Sequence, residues 1–205
     1  MARIPGSGED EIWMVVKRVI KGSTVYYLEQ MQPRDYGDLQ DAWFVDSGIS
    51  YDSVPTSTIS GLDHLEGERV AVWADGAVQT SKIVNGAGQI TLDTVASRVI
   101  AGLPYRSTIK PMRFDIMTGE GTSKGSIKRF AELVVSFYAS GGAKFGRDVD
   151  HLFNFPWPSS GLFTGDKVVA HEGGFDVEDP IIITTISPEP LIIRAMIPRM
   201  SITGR

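Results

Sequence analysis

The 205-residue chain contains no cysteine. That absence excludes a disulfide scaffold, a thiolate zinc site, an iron–sulfur cluster and a cysteine nucleophile. Histidine is scarce as well. His64, His151 and His171 are the only three, none at the spacing of a short-loop or helical ligand pair, so no metal centre is expected. Basic excess is missing too, since 20 Lys plus Arg against 25 Asp plus Glu leave a net charge of −5. Counterion release on nucleic acid needs clustered cations, so a binding surface spread over the whole chain is not expected. No apolar run approaches the roughly 18–20 residues that cross a bilayer as a helix. Residues 1–11 carry one arginine and then acids, without the apolar stretch of a signal peptide. Neither a membrane span nor export by that route is expected.

Recognisable catalytic motifs are also missing. No Gly-x-Ser-x-Gly elbow anchors a hydrolase triad, and no EF-hand pattern occurs. The stretch Gly119-Glu120-Gly121-Thr122-Ser123-Lys124-Gly125-Ser126 ends in Lys-Gly-Ser where a phosphate-binding loop requires Gly-Lys-Ser or Gly-Lys-Thr, and a strand rather than a helix follows. It reads as a surface loop. Asp148-Val149-Asp150-His151 reads as a polar turn. Trp13, Trp43, Trp73 and Trp157 sit in or beside strand-like runs and are expected to pack on strands. No catalysis, cofactor or metal is expected.

What the sequence has is punctuation and alternation. Its 22 glycines and 11 prolines divide segments of period 2. Runs at 12–19 and 24–31 flank Lys21-Gly22-Ser23, which predicts a hairpin. Residues 41–46 predict a short strand closed by Ser47-Gly48. From 57 to 111 come short runs around Asp75-Gly76 and Asn85-Gly86-Ala87-Gly88, a spacing that suits a small closed barrel. The run at 127–138 places Ala131, Leu133, Val135 and Phe137 on one face. Two apolar runs, 180–186 and 191–197, flank Ser187-Pro188-Glu189-Pro190, predicting a hairpin or corner. The expected fold is all-β: a hairpin region (1–56), a small β-barrel (57–113) and a C-terminal antiparallel β domain (114–205).

Two segments are more specific. Trp43-Phe44-Val45-Asp46-Ser47-Gly48-Ile49-Ser50-Tyr51-Asp52 and the stretch from Ile59 through Val78, with His64-Leu65-Glu66-Gly67-Glu68-Arg69-Val70-Ala71-Val72-Trp73 at its centre, together resemble bacteriophage and prophage tail-tube (nozzle, or DNA-stabilization-type) proteins. The second segment is also similar to the small barrel of the first catalytic cysteine half-domain of ubiquitin-activating enzymes. No cysteine is present here to form a thioester. Ile4-Pro5-Gly6 with residues 11–18 and Tyr27-Leu28-Glu29 resembles the end of a propeller-like upstream part. Phe163-Thr164-Gly165-Asp166 through Ile197-Pro198 resembles the family's last strands.

The resemblance implies the C-terminal portion of a longer structural protein of the virion tail, made in the bacterial host cytoplasm. Its implied partners are other tail or connector proteins, further copies in a ring of six formed by the full-length protein, and duplex DNA passing through without sequence-specific binding. The alternative is a tail-associated carbohydrate- or receptor-binding module, motivated by an exposed Trp157 and the loop at 118–126. Lys124, Lys128 and Arg129 could meet phosphate, but Lys128 and Arg129 should point to opposite faces of a strand.

Overall fold

The computed structural model describes residues 1–6, 10–33, 35–115, 117–118, 121–177 and 179–202. Among them the chain is all-β, with two single 3-10 turns and no α-helix, as the alternation predicts. It forms two compact units, Met1–Tyr105 and Arg106–Arg205. The sequence divisions at 56/57 and 113/114 do not coincide with that boundary.

In the first unit, β1 (Ala2–Ile4), β2 (Glu11–Ile20) and β3 (Ser23–Gln30) form an antiparallel sheet in that order. Lys21 and Gly22 both take positive φ, 48° and 76°, which is the mirror-image turn whose twist matches a two-residue hairpin. The second sheet comprises β4 (Asp46–Ile59), β5 (Arg69–Ala74), β6 (Ala77–Ile83) and β7 (Ile90–Leu103), ordered β4-β7-β5-β6. Ile20 from the hairpin shares one core with Ile59, Leu62, Leu65, Val70, Val72, Ile90 and Val99, and Val25 and Tyr27 pack against it. Hairpin and second sheet are therefore one hydrophobic body.

Two expectations are corrected here. The predicted strand at 41–46 is instead a 3-10 turn (Leu39–Asp41) followed by an irregular segment, and the strand begins at Asp46. β4 then runs through Pro55. Proline survives because β4 is an edge strand and the ladder is already irregular between Asp52 and Thr56. Finally, the barrel is not closed. β7 is one long strand that pairs with β4 at Ile90 and Thr91 and again from Ala96 to Leu103, with an irregularity at 92–95 between them, while β5 takes only Val99 to Gly102 on its other side. Side chains, not backbone, join β6 to the first part of β7. Thr80 N and Oγ1 donate to Asp93 Oδ2 at 2.9 and 2.6 Å, Lys82 pairs with Asp93, and Asp93 N donates to Gln79 Oε1 at 2.8 Å.

The second unit contains β8 (Ser107–Ile109), a ribbon of β9 (Met117–Thr118) with β10 (Gly121–Thr122), then β11 (Lys128–Ser140), β12 (Lys144–Gly146), β13 (Leu152–Asn154), β14 (Phe163–Ala170), β15 (Ile182–Thr185) and β16 (Ile192–Ile202). Two antiparallel sheets, β14-β11-β16 and β13-β12-β15-β8, share one core of Phe130, Leu133, Val135, Phe137, Phe145, Phe155 and Ile183. The residues at 187–190 form a corner, because β15 and β16 belong to different sheets. Leu133, Val135 and Phe137 are buried as predicted, but Phe130 replaces Ala131 inside. A bulge between Phe130 and Glu132 shifts the alternation by one residue.

Candidate functional site

A cleft of about 740 Å³ lies in the first unit. One wall is the end of the hairpin, residues 27–32 with Trp13 and Met14; the other is Trp43 with residues 45–48, and His64 and Tyr105 complete the lining. Its polar groups are held by one another. Arg18 donates to both carboxylate oxygens of Glu29 at 2.8 Å and lies 3.6 Å from Asp46. The two-pronged guanidinium contact holds the Glu29 carboxyl below the usual carboxylate range, against the opposing effect of burial. Glu29 is therefore a fixed anion and not a proton donor at neutral pH. His64 Nε2 donates to Ser47 O at 2.8 Å, which fixes its tautomer. Tyr27 donates to His64 O at 2.7 Å and meets the imidazole edge-on, ring centres 5.7 Å apart.

These contacts tie the hairpin to the 43–48 segment and leave Trp13 and Trp43 partly exposed beside a carboxylate pair. The arrangement suits binding: aromatic faces for apolar contact, and fixed charges for orientation. Sequence reasoning missed this cleft. Its lining comes from five separated segments, and no spacing rule links Trp13, Tyr27, Trp43, His64 and Tyr105.

The residues singled out from the sequence are scattered. Of the 118–126 loop, Gly119 and Glu120 lie outside the described residues; Lys124 is exposed. Lys128 is fully buried, its ammonium donating to Phe114 O and Asp115 Oδ1, both at 2.7 Å. It cannot touch phosphate. Arg129 points the other way, as the strand geometry requires, with its guanidinium 6.0 Å from the Phe175 ring centre. Lys128 and Arg129 thus form no patch.

Trp157 is half-buried and packs against strand residues, as expected, rather than standing free as the binding alternative requires. Its indole donates to Ala143 O at 2.8 Å and its ring lies 5.0 Å from that of Phe137. Lys167 sits over Phe163 at 3.8 Å and over Trp157 at 5.3 Å, and burial pushes its ammonium pKa down.

Asp148 organises a polar turn, accepting from the backbone of Asp150 and His151 at 2.9 Å and meeting the His151 ring at 2.8 Å. That ring contact is the chief reason its carboxyl lies below the ordinary range. His171 is buried with no hydrogen bond at either ring nitrogen among the described residues, 3.6 Å from Asp179, which itself accepts from Phe130 N at 3.0 Å. Nothing in the sequence marked that pair. Among the described residues no cluster of three His, Asp or Glu is placed to hold a metal ion, and no helix is long and apolar enough to cross a membrane.

Compared with known proteins, the chain matches no family model and no curated protein.

Proposed function

We propose that the protein is a structural component of a phage or prophage virion tail, lining or supporting the channel through which DNA leaves, and that it carries out no catalysis. The observation that carries this reading is the outer face of the first sheet. Val15, Val19, Tyr26 and Leu28 share that face and are 68, 63, 66 and 68 % exposed. The opposite face already packs on the core through Ile20, Val25 and Tyr27. A sheet apolar on both faces is built to be covered on both, which suits a subunit of a larger assembly.

The tail assignment itself rests on the resemblance of residues 43–52 and 59–78. In the fold these two segments are neighbours, with Ile49 packed against the core that holds Ile59, Val70 and Val72. The partners in this reading are further copies of the protein in a ring and other tail or connector proteins. Of the two features behind the adhesin alternative, an exposed Trp157 is weakened by its packing among phenylalanines, and the loop at 118–126 remains.

A net charge of −5 opposes retention of DNA, which lets a polyanion slide past. Fluorescence anisotropy with duplex DNA at physiological salt tests this. The expected result is no sequence preference, and at most weak binding that appears only at low ionic strength. Tight binding with one sequence strongly preferred would replace a conduit with a DNA-recognition protein.

A further inference from the structure

The cleft of the first unit runs along an unpaired strand edge. β3 pairs with β2 and with no other strand among the described residues. The two-residue turn pairs Ile20 with Ser23, and Met31 N donates to Ile12 O at 2.9 Å. Backbone groups of the odd residues from Ser23 to Met31 therefore face β2. Those of Tyr26, Leu28 and Gln30 face outward, with no backbone partner among the described residues.

Six consecutive residues, 27–32, line the cleft. Successive side chains of a strand point to opposite faces, so a cavity that touches all six lies along the edge and not on either face. The four of these that belong to β3, Tyr27–Gln30, offer roughly 13 Å of edge at about 3.3 Å per residue. The facing wall includes the start of β4, which is also an outer strand of its sheet. Charge points to the occupant. One guanidinium, Arg18, serves two carboxylates, Glu29 and Asp46, which leaves one negative charge over; the Asp46 side chain is 50 % exposed.

We propose that this slot takes an extended segment of a partner protein, added to β3 as a fourth strand, with apolar side chains against Trp13 and Trp43 and a Lys or Arg side chain toward Asp46. This goes beyond the tail reading and does not depend on it.

The test uses the full chain and a capped six-residue peptide of alternating valine and lysine, followed by amide hydrogen exchange in NMR spectra. Exchange at Leu28 and Gln30 should slow at least tenfold on saturation, while amides already bonded to β2 change little. The same peptide N-methylated on its β3-facing amides should lose that protection, and a valine–glutamate peptide should bind at least tenfold more weakly. Leu28→Pro removes an outward donor without removing a bond to β2, so it should abolish binding and leave the circular dichroism spectrum unchanged. Should that variant fail to fold, the N-methylated peptide on the natural chain decides alone. Absence of protection, equal binding of the glutamate peptide, or indifference to N-methylation would overturn the proposal. So would a concentration-dependent dimer that itself protects Leu28 and Gln30, since the edge would then belong to a second copy.

Discussion

Lys128 illustrates how one side chain can reverse its reading between sequence and structure. Beside a glycine-rich loop it looks like a cation for phosphate; in the fold it is a buried strut between β11 and the segment at 114–115. The bidirectional contact satisfies an ammonium that has no access to water. Lys128→Met should therefore lower stability by roughly 1–2 kcal/mol, because it leaves the Phe114 carbonyl without its donor, while the exposed Asp115 returns to water. Arg129→Met, on the exposed side, should stay within about 0.5 kcal/mol. Urea unfolding of the two variants checks this, and equal losses would refute the assignment. Asp93 makes a second prediction. Hydrogen bonds from Lys82, first, and Thr80 lower its carboxyl from 3.8 to about 2. A depressed folded-state value means the seam's contribution is fully present above pH 3.8 and is lost as pH falls through about 2. A carboxyl-carbon NMR titration should place the Asp93 midpoint near 2; a midpoint at 3.8 would mean the seam is not formed in solution.

At the scale of elements, much of the chain was legible and the exceptions share a cause. The hairpin turn, the corner at 187–190 and the buried triplet Leu133, Val135 and Phe137 follow from turn residues and period 2. Irregularities hid the rest. A bulge exchanged Phe130 for Ala131, and the strand expected to close at Ser47-Gly48 instead begins at Asp46 and runs through Pro55, tolerated at an edge position that sequence does not display. The expected closed barrel is not formed because 90–103 is one continuous strand, irregular at 92–95, and side chains alone join that part of it to β6. The cleft was illegible for a different reason: tertiary contact, not spacing, assembles it. Gly102 is a point where β4 and β7 approach unusually closely. A Cβ there would lie 2.6 Å from Gly48 Cα and 2.7 Å from Asp46 O, both backbone atoms. Gly102→Ala should cost about 2 kcal/mol, as overpacking at a rigid site does. It should lower the urea midpoint without changing the slope, and an unchanged midpoint would show that the strands separate freely.

For the whole molecule, each unit has a core of its own, and the first also displays an uncovered apolar sheet face beside a free strand edge. Such surface suits a part rather than a finished whole. In the cleft, Arg18, Glu29, Tyr27 and His64 hold the hairpin to the 43–48 segment, while Asp46 keeps a half-exposed carboxylate. Immunogold electron microscopy of purified phage or induced prophage particles encoding this protein measures the central claim directly. Antibodies against the 205-residue chain should label the tail at the channel end of intact particles. Label on empty host membranes or free protein only, with particles bare, would contradict a place in the virion.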